Sequence, residues 1–208
     1  MGTPRNQYEL EYYAKGYQAI IGLDEAGRGP MAGELVVAGV IFPKHFYDER
    51  INDSKKLTKK KRDELFSFIC DNAIAYHIEV ISVADVDKLN VYQASKIGME
   101  KCVQALQCEG LFALTDAMPL HYLDHLSIIK GDQLSISIAG ASILAKVTRD
   151  RMMEEHDKTY PEYGFASHKG YVTKKHIQAL DEFGVTPIHR KSFKPVLMRM
   201  EKQLSFDI

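Results

Sequence analysis

The chain has 208 residues, 45% of them hydrophobic and 26% charged, with 27 basic and 28 acidic side chains and a formal net charge of −1. That length predicts one domain over residues 1–208, its core at about 18–200 and a short tail at 201–208, large enough to bury a core without staples. The composition excludes a wholly disordered chain, and no run of 18 uncharged apolar residues exists to span a membrane. The polar N-terminus reads as no signal peptide. Cys70, Cys102 and Cys108 are odd in number and lack a C-x-x-C pair. This argues against a disulfide framework or a cysteine zinc site, and points to a reducing cytoplasm. A monomer is expected.

Short apolar runs alternate with helical patterns, which predicts an α/β fold. The run at 19–23 ends in Asp24-Glu25, then the turn-rich AGRGP at 26–30. LVVAGVIF at 35–42 reads as a second strand closed by Pro43. Thr58 suits a helix N-cap, and Leu65, Phe66 and Ile69 follow on one face. AYHIEVISV at 75–83 alternates as a third strand, and 91–107 reads as a helix. The run at 111–115 is a fourth strand with Asp116 at its end. A fifth at 126–130 precedes Gly131-Asp132. Residues 138–157 give the clearest helix, with Ile138, Ala141, Ala145, Thr148 and Met152 on one stripe. A last helix is expected at 173–183, before an amphipathic or irregular tail from Lys194. Together these predict a mixed sheet with helices on its faces.

Acidic side chains gather at predicted strand ends: Asp24, Glu25, Asp116 and Asp132. In open α/β sheets such ends form the ligand crevice. Two carboxylates 4 Å apart repel by ~1 kcal/mol in water and ~4 kcal/mol at an effective dielectric near ~20. A hard divalent cation removes that repulsion, and oxygen-only ligands suit Mg²⁺ or Mn²⁺. Asp124 competes for this role from a loop-like stretch. Asp150 reads as a surface or helix-pairing acid.

Positive charge gathers in two places. KKLTKKKR at 55–62 places Lys59, Lys60 and Lys61 in a first helical turn, where cations oppose the helix dipole. The stretch 165–200 carries Lys169, Lys174, Lys175, Arg190, Lys191, Lys194 and Arg199, interleaved with Phe165, Tyr171 and Phe193. Basic and aromatic residues together suit a phosphate backbone and its sugars or bases. Two basic zones with an acidic cluster suggest metal-dependent chemistry on a phosphodiester. In DEAGRGP, Gly27 and Gly29 permit close backbone approach, and Arg28 offers a phosphate fork.

The sequence resembles the type 2 ribonucleases H, specifically the ribonuclease HII family. The matching pieces are IIGLDEAGRGPMAG at 20–33, DSKKLT at 53–58, LTD at 114–116, IKGD at 129–132, ASILAKVTRDRMM at 141–153, HKGYVTKKH at 168–176 and GVTPIHRKSFKPV at 184–196. The resemblance covers roughly residues 8–200, in the family's order. It implies a ribonuclease H-like fold: a central mixed five-stranded sheet flanked by helices, with a C-terminal helical segment. It implies cleavage of the RNA strand of RNA–DNA hybrids and incision at single ribonucleotides in duplex DNA, leaving 3′-hydroxyl and 5′-phosphate ends. It implies that Asp24, Glu25 and Asp116 bind metal and that Asp132 completes the acidic site; in a two-metal hydrolysis Asp24 is the expected shared carboxylate. The backbone of Gly27, Arg28 and Gly29 would contact the 2′-hydroxyl. Tyr171 would pack on the neighbouring sugar at the RNA-to-DNA junction. Lys55, Lys56, Lys169 and Arg190 are candidates for phosphate contacts. The tail Gln203-Leu204-Ser205-Phe206 resembles short sliding-clamp-binding peptides. Glu34 stands where the family usually has Pro, and Ala117 where it usually has Gly. Two other readings are a ribonuclease HIII-like enzyme and a non-catalytic hybrid-binding module. The first usually has an extra N-terminal domain and lacks G-R-G; the second needs a broken acidic set.

Overall fold

The computed structural model describes residues 4–206, with side chains through residue 201. In chain order its elements are α1 (Gln7–Ala14), β1 (Ala19–Ala26), β2 (Leu35–Ile41), a 3₁₀ turn (Ser54–Lys56), α2 (Lys59–Asn72), β3 (Ala75–Ile81), α3 (Val83–Leu89) and α4 (Val91–Ala105). There follow β4 (Leu111–Asp116), β5 (His125–Ile128), α5 (Gly131–Leu134), α6 (Ile136–Thr159), a second 3₁₀ turn (Pro161–Tyr163), α7 (Phe165–His168), α8 (Lys174–Phe183) and α9 (Lys194–Phe206). Among the described residues, no helix is long and apolar enough to cross a membrane.

The contacts of the chain gather into two compact units. The first comprises residues 1–26, 36–80 and 95–147. It contains one five-stranded sheet in the order β3-β2-β1-β4-β5, antiparallel between β1 and β2 and parallel across β1-β4 and β4-β5. This is the mixed sheet expected from the sequence. Every residue of β2 is buried, as its unbroken apolar run demands of an inner strand. Gly22 on β1 allows α6 to lie directly on the sheet: a Cβ there would meet the Ser137 carbonyl carbon at 2.1 Å. Tyr13, Ile20, Phe112, Leu114, Ile128 and Ile138 form a core cluster on the sheet.

Helix α1 was not visible in the sequence pattern. It packs by stacking Tyr12 on Phe112 at 3.7 Å. Its buried Glu9 accepts hydrogen bonds from the Ser135 hydroxyl (2.6 Å) and the Ser137 N–H (2.9 Å), at the positive start of α6. Burial nonetheless raises the Glu9 pKa. Thr58 caps α2 as expected, accepting the Lys61 N–H. The strand predicted through residue 83 stops at Ile81. There the Ser82 hydroxyl accepts the Asp85 N–H at 3.1 Å and starts α3.

The second unit comprises residues 27–35, 81–94 and 148–208. Its core joins Met31 and Ala32 from the irregular glycine segment to Met153, Tyr163, Phe165, Ala179, Leu180, Ile188 and Val196. Ala32 and His189 form an isolated antiparallel bridge.

Candidate active site

Three of the four expected carboxylates stand at neighbouring strand ends. Parallel pairing brings Leu23 beside Thr115, so Asp24 and Asp116 follow at adjacent positions of β1 and β4. Asp132 lies one residue into α5, just beyond β5. Glu25 follows Asp24 and pairs in register with Val37 of β2. Two left-handed residues shape the turns here: Ala117 (φ 50°) and Lys130 (φ 59°). Ala117 therefore holds a conformation that glycine adopts freely, at a cost of about 1 kcal/mol. The turn is closed by the Ala117 N–H donating to the Ile128 carbonyl at 3.0 Å. The Gly131 N–H donates to Asp116 Oδ1 at 2.9 Å and orients that carboxylate.

The electrostatics of this cluster are unfavourable. Asp24 is buried, and its pKa is raised well above the usual range, first by burial, then by the charges of Glu25 and Asp116. The Ser142 hydroxyl and the Glu25 N–H work against that rise, the N–H lying 2.7 Å from Asp24 Oδ1. Asp132 is raised by burial, then by Asp116 and Asp53, with Lys55 opposing. Among the described residues, no three His, Cys, Asp or Glu side chains already converge closely enough to hold an ion. The donor set itself fits a hard divalent cation: several anionic oxygens, no sulfur, and a repulsion that a cation would relieve.

Lys55, expected as a phosphate contact, stands beside the acidic cluster. Its ammonium lies 3.8 Å from Asp132 Oδ2 while its side chain stays 80% exposed. Partial burial works against its charge, but Asp132, Asp24, Asp53 and Asp116 outweigh it and raise its pKa. Lys56 is exposed, 4.0 Å from Asp53 Oδ2. Three residues here went unnoticed in the sequence. Asp53 is buried and accepts the Lys55 N–H at 2.9 Å, starting the 3₁₀ turn. Ser54 and Ser142 join their hydroxyls at 3.0 Å although 88 positions apart. DSKKLT contained the first two, but nothing in its spacing pointed inward.

In the second unit, Gly27 has φ +105°, and a Cβ on it would meet Arg149 Nε at 2.2 Å. Glycine is thus required both by conformation and by space. Arg28 and Gly29 are exposed. The edge of the Tyr171 ring lies 3.4 Å from where a Gly29 Cβ would sit, and Tyr171 is 48% exposed.

Arg190 corrects an expectation. Proposed as a phosphate contact, it is fully buried. Its guanidinium donates to the carbonyls of Gly33 (2.9 Å), Pro30 (2.8 Å), Glu34 (3.1 Å) and Arg28 (3.4 Å). Arg149, unremarked in the sequence, is buried likewise and donates to Glu34, Ala32 and Lys169 carbonyls, each at 3.0 Å. An irregular buried segment has carbonyls that no strand can satisfy, and each left bare costs about 1–3 kcal/mol. The two planar forks meet that need. Burial, then the neighbouring Arg149 charge, lowers the Arg190 pKa to about 10, so it remains a cation.

Lys169 also differs from a free phosphate contact. Its ammonium bonds Glu154 at 2.7 Å and is only 15% exposed. Glu34 bonds His156 at 2.9 Å. Burial would raise the Glu34 pKa, but the His156 bond prevails and lowers it. The rival Asp124 is exposed and accepts the Tyr17 hydroxyl at 2.8 Å. Asp150 is buried rather than on the surface. The side chains of Gln203, Leu204, Ser205 and Phe206 lie outside the described residues.

An acidic cluster at the ends of central strands in a mixed five-stranded sheet defines a nuclease of the ribonuclease H class. The family model for ribonuclease HII matches residues 21–196, and the chain belongs to the ribonuclease HII family. A ribonuclease HII of Acholeplasma laidlawii (strain PG-8A) is 52% identical over 189 residues, spanning 91% of this chain and 94% of the relative. The crystal structure of ribonuclease H2 from Pyrococcus horikoshii OT3 superposes with a TM-score of 0.73 at 26% identity, covering 89% of this chain and 98% of that one. Ribonuclease HII in a complex with PCNA from Archaeoglobus fulgidus superposes with a TM-score of 0.70 at 25% identity, covering 85% and 96%. The chain is accordingly an endoribonuclease of the metal-dependent ribonuclease H class.

Proposed function

We propose that this enzyme cleaves the RNA strand of RNA–DNA hybrids and incises at single ribonucleotides embedded in duplex DNA, leaving 3′-hydroxyl and 5′-phosphate ends. The observation that carries the reading is Asp24, a buried carboxylate whose charge is opposed by both Glu25 and Asp116. Such repulsion destabilises the empty site and favours a divalent cation, Mg²⁺ or Mn²⁺. Asp24, Glu25, Asp116 and Asp132 would hold two ions, with Asp24 shared. When bound, the ions supply an activated water and charge stabilisation at the leaving 3′-oxygen.

The chain's own groups do the rest. The Gly131 N–H holds the Asp116 carboxylate, and Ser142 holds Asp24. The segment of half-buried Gly27 and exposed Arg28 and Gly29 offers its backbone polar groups to a 2′-hydroxyl, the atom that separates RNA from DNA. The half-exposed ring of Tyr171 offers a face to the adjoining deoxyribose. Lys55 and Lys56 supply phosphate contacts that set affinity and salt dependence. Arg190 instead supports the segment that carries the glycines, and Lys169 pairs with Glu154 of α6. A second partner, a sliding clamp reached through Gln203, Leu204, Ser205 and Phe206, is supported by the PCNA complex of the archaeal neighbour. A reducing cytoplasm fits the three free cysteines.

The test is a duplex carrying one ribonucleotide, with Mg²⁺ or Mn²⁺. We expect incision at the ribonucleotide, and Asp116→Asn should lower turnover at least ~10³-fold, a barrier increase of about 4 kcal/mol. Its duplex affinity should stay within about twofold of wild type, since phosphate contacts set affinity. No incision with either ion, or turnover retained in Asp116→Asn, would refute the assignment.

A further inference from the structure

The second unit holds a group of imidazoles that this function does not use. His176 and His189 are fully buried, and their Nε2 atoms lie 2.9 Å apart. His168 stacks on His176 with ring centres 4.4 Å apart. The hydrogen bonds around them determine where each proton sits.

The chain of bonds starts at Thr186. Its backbone N–H lies 3.0 Å and its hydroxyl 2.8 Å from His189 Nδ1; the N–H can only donate, so that nitrogen carries a lone pair, the hydroxyl donates to it too, and the ring proton is on Nε2. His189 Nε2 therefore donates to His176 Nε2, which must be an acceptor. The His176 proton is then on Nδ1, and it donates to the Tyr171 carbonyl at 2.9 Å. His168 is fixed by similar logic, accepting the Gly170 N–H on Nδ1 at 3.2 Å and donating from Nε2 to the Tyr163 carbonyl.

We infer that His189 and His176 form a neutral, one-directional hydrogen-bond chain that fixes the Tyr171 backbone, making both imidazoles positioning residues for the Tyr171 ring. The inference rests on Tyr171 reading the RNA-to-DNA junction, as proposed above. The ring itself is half-exposed, so packing alone holds it loosely. Its backbone is held on both sides instead. The Tyr171 N–H donates to the His168 carbonyl at 2.9 Å, and the preceding Gly170 carbonyl accepts the Met31 N–H at 3.0 Å. The His176 bond completes that clamp and sets the ring against Gly29. Burial lowers the pKa of both His176 and His189 to about 4, so the neutral pair persists at physiological pH. A proton added to either ring would set two N–H donors against each other or break the contact with Thr186 or Tyr171.

Two measurements test this. Nitrogen-15 NMR of the wild-type imidazoles at pH 7 should find His176 neutral with its proton on Nδ1 and His189 neutral with its proton on Nε2. An imidazolium, or any other tautomer pair, overturns the chain. Kinetics then compare His176→Asn, whose amide keeps a donor near the Nδ1 position, with His176→Gln, whose amide does not. The readout is the ratio of kcat/KM on a single-ribonucleotide duplex to that on a continuous RNA–DNA hybrid. A misplacement of 1 Å can cost ~10²-fold, so His176→Gln should lower the ratio at least about tenfold and His176→Asn by under about twofold. Equal ratios in the two variants overturn the proposal. Tyr171→Ala separates the premises. If it leaves the ratio unchanged, the reading of Tyr171 fails; if it lowers the ratio while His176→Gln does not, the chain alone fails. Should either histidine variant not fold, the tautomer measurement decides.

Discussion

At the ends of β1 and β4, Asp24 and Asp116 sit as like charges, and the pKa of buried Asp24 rises because its anion is poorly compensated. In the second unit, two fully buried arginines spend their donors on seven carbonyl contacts, and two fully buried histidines use every ring nitrogen. One region leaves buried polar groups in conflict; the other satisfies them. The difference fits the two jobs proposed for these regions. A site meant to capture a cation has to be short of positive charge until it arrives. A segment meant to present a glycine turn and an aromatic ring has to be stiff beforehand.

The strongest way to break the contrast is Arg190→Met. It strips the carbonyls of 28, 30, 33 and 34 of shared donors and should cost about 3–5 kcal/mol in chemical denaturation. A loss under about 1 kcal/mol would mean that the segment does not depend on its buried cation.

Acid sharpens the contrast because the two regions respond with opposite sign. The folded His176 and His189 take up protons only near pH 4, whereas unfolded histidine does so near about 6.5. Stability from this pair is therefore complete above that higher value and is lost as pH falls toward 4. One imidazole kept neutral across the window accounts for about 3 kcal/mol at 1.36 kcal/mol per unit. Asp24 and Asp132 have raised folded pKa values, so they gain relative stability as pH falls through them. Denaturation from pH 7 to 4 should show a shallower acid loss in His176→Asn than in wild type. An unchanged slope would contradict the buried neutral pair.

The smallest effect concerns Glu34. Its bond to His156 is partly exposed, and His156→Ala should cost under about 1 kcal/mol at pH 7. A larger loss would give the Glu34–His156 pair a structural weight comparable to the arginines.

The acidic cluster was readable because each acid closes an apolar run or follows a turn, and strand ends are where such residues converge. The glycine turn drew attention because G-R-G directly follows Asp-Glu, and Gly27 does take a φ of +105° there. Arg190 was misread for a physical reason. Inside a basic stretch, a buried arginine and a surface arginine look alike, and only the carbonyls of an irregular segment 156 or more positions away give it work. Helix α1 was missed because QYELEYYA has no apolar stripe; its anchor is Glu9 reaching Ser135 and Ser137. Ser142 escaped notice because small residues on α6 read as packing, and the Ser142 contact to Asp24 is visible only once β1 and α6 lie together.

The most direct test of the central claim is chemical denaturation of wild type and Asp24→Asn, each with and without Mn²⁺. The account predicts a crossing. Without metal, Asp24→Asn should be the more stable protein by about 1 kcal/mol, because a buried, opposed charge is gone. With Mn²⁺, wild type should gain about 3 kcal/mol at a hundredfold excess over Kd, and the variant should gain almost nothing. Equal gains from Mn²⁺ in the two proteins would contradict the assignment of Asp24 to the metal site.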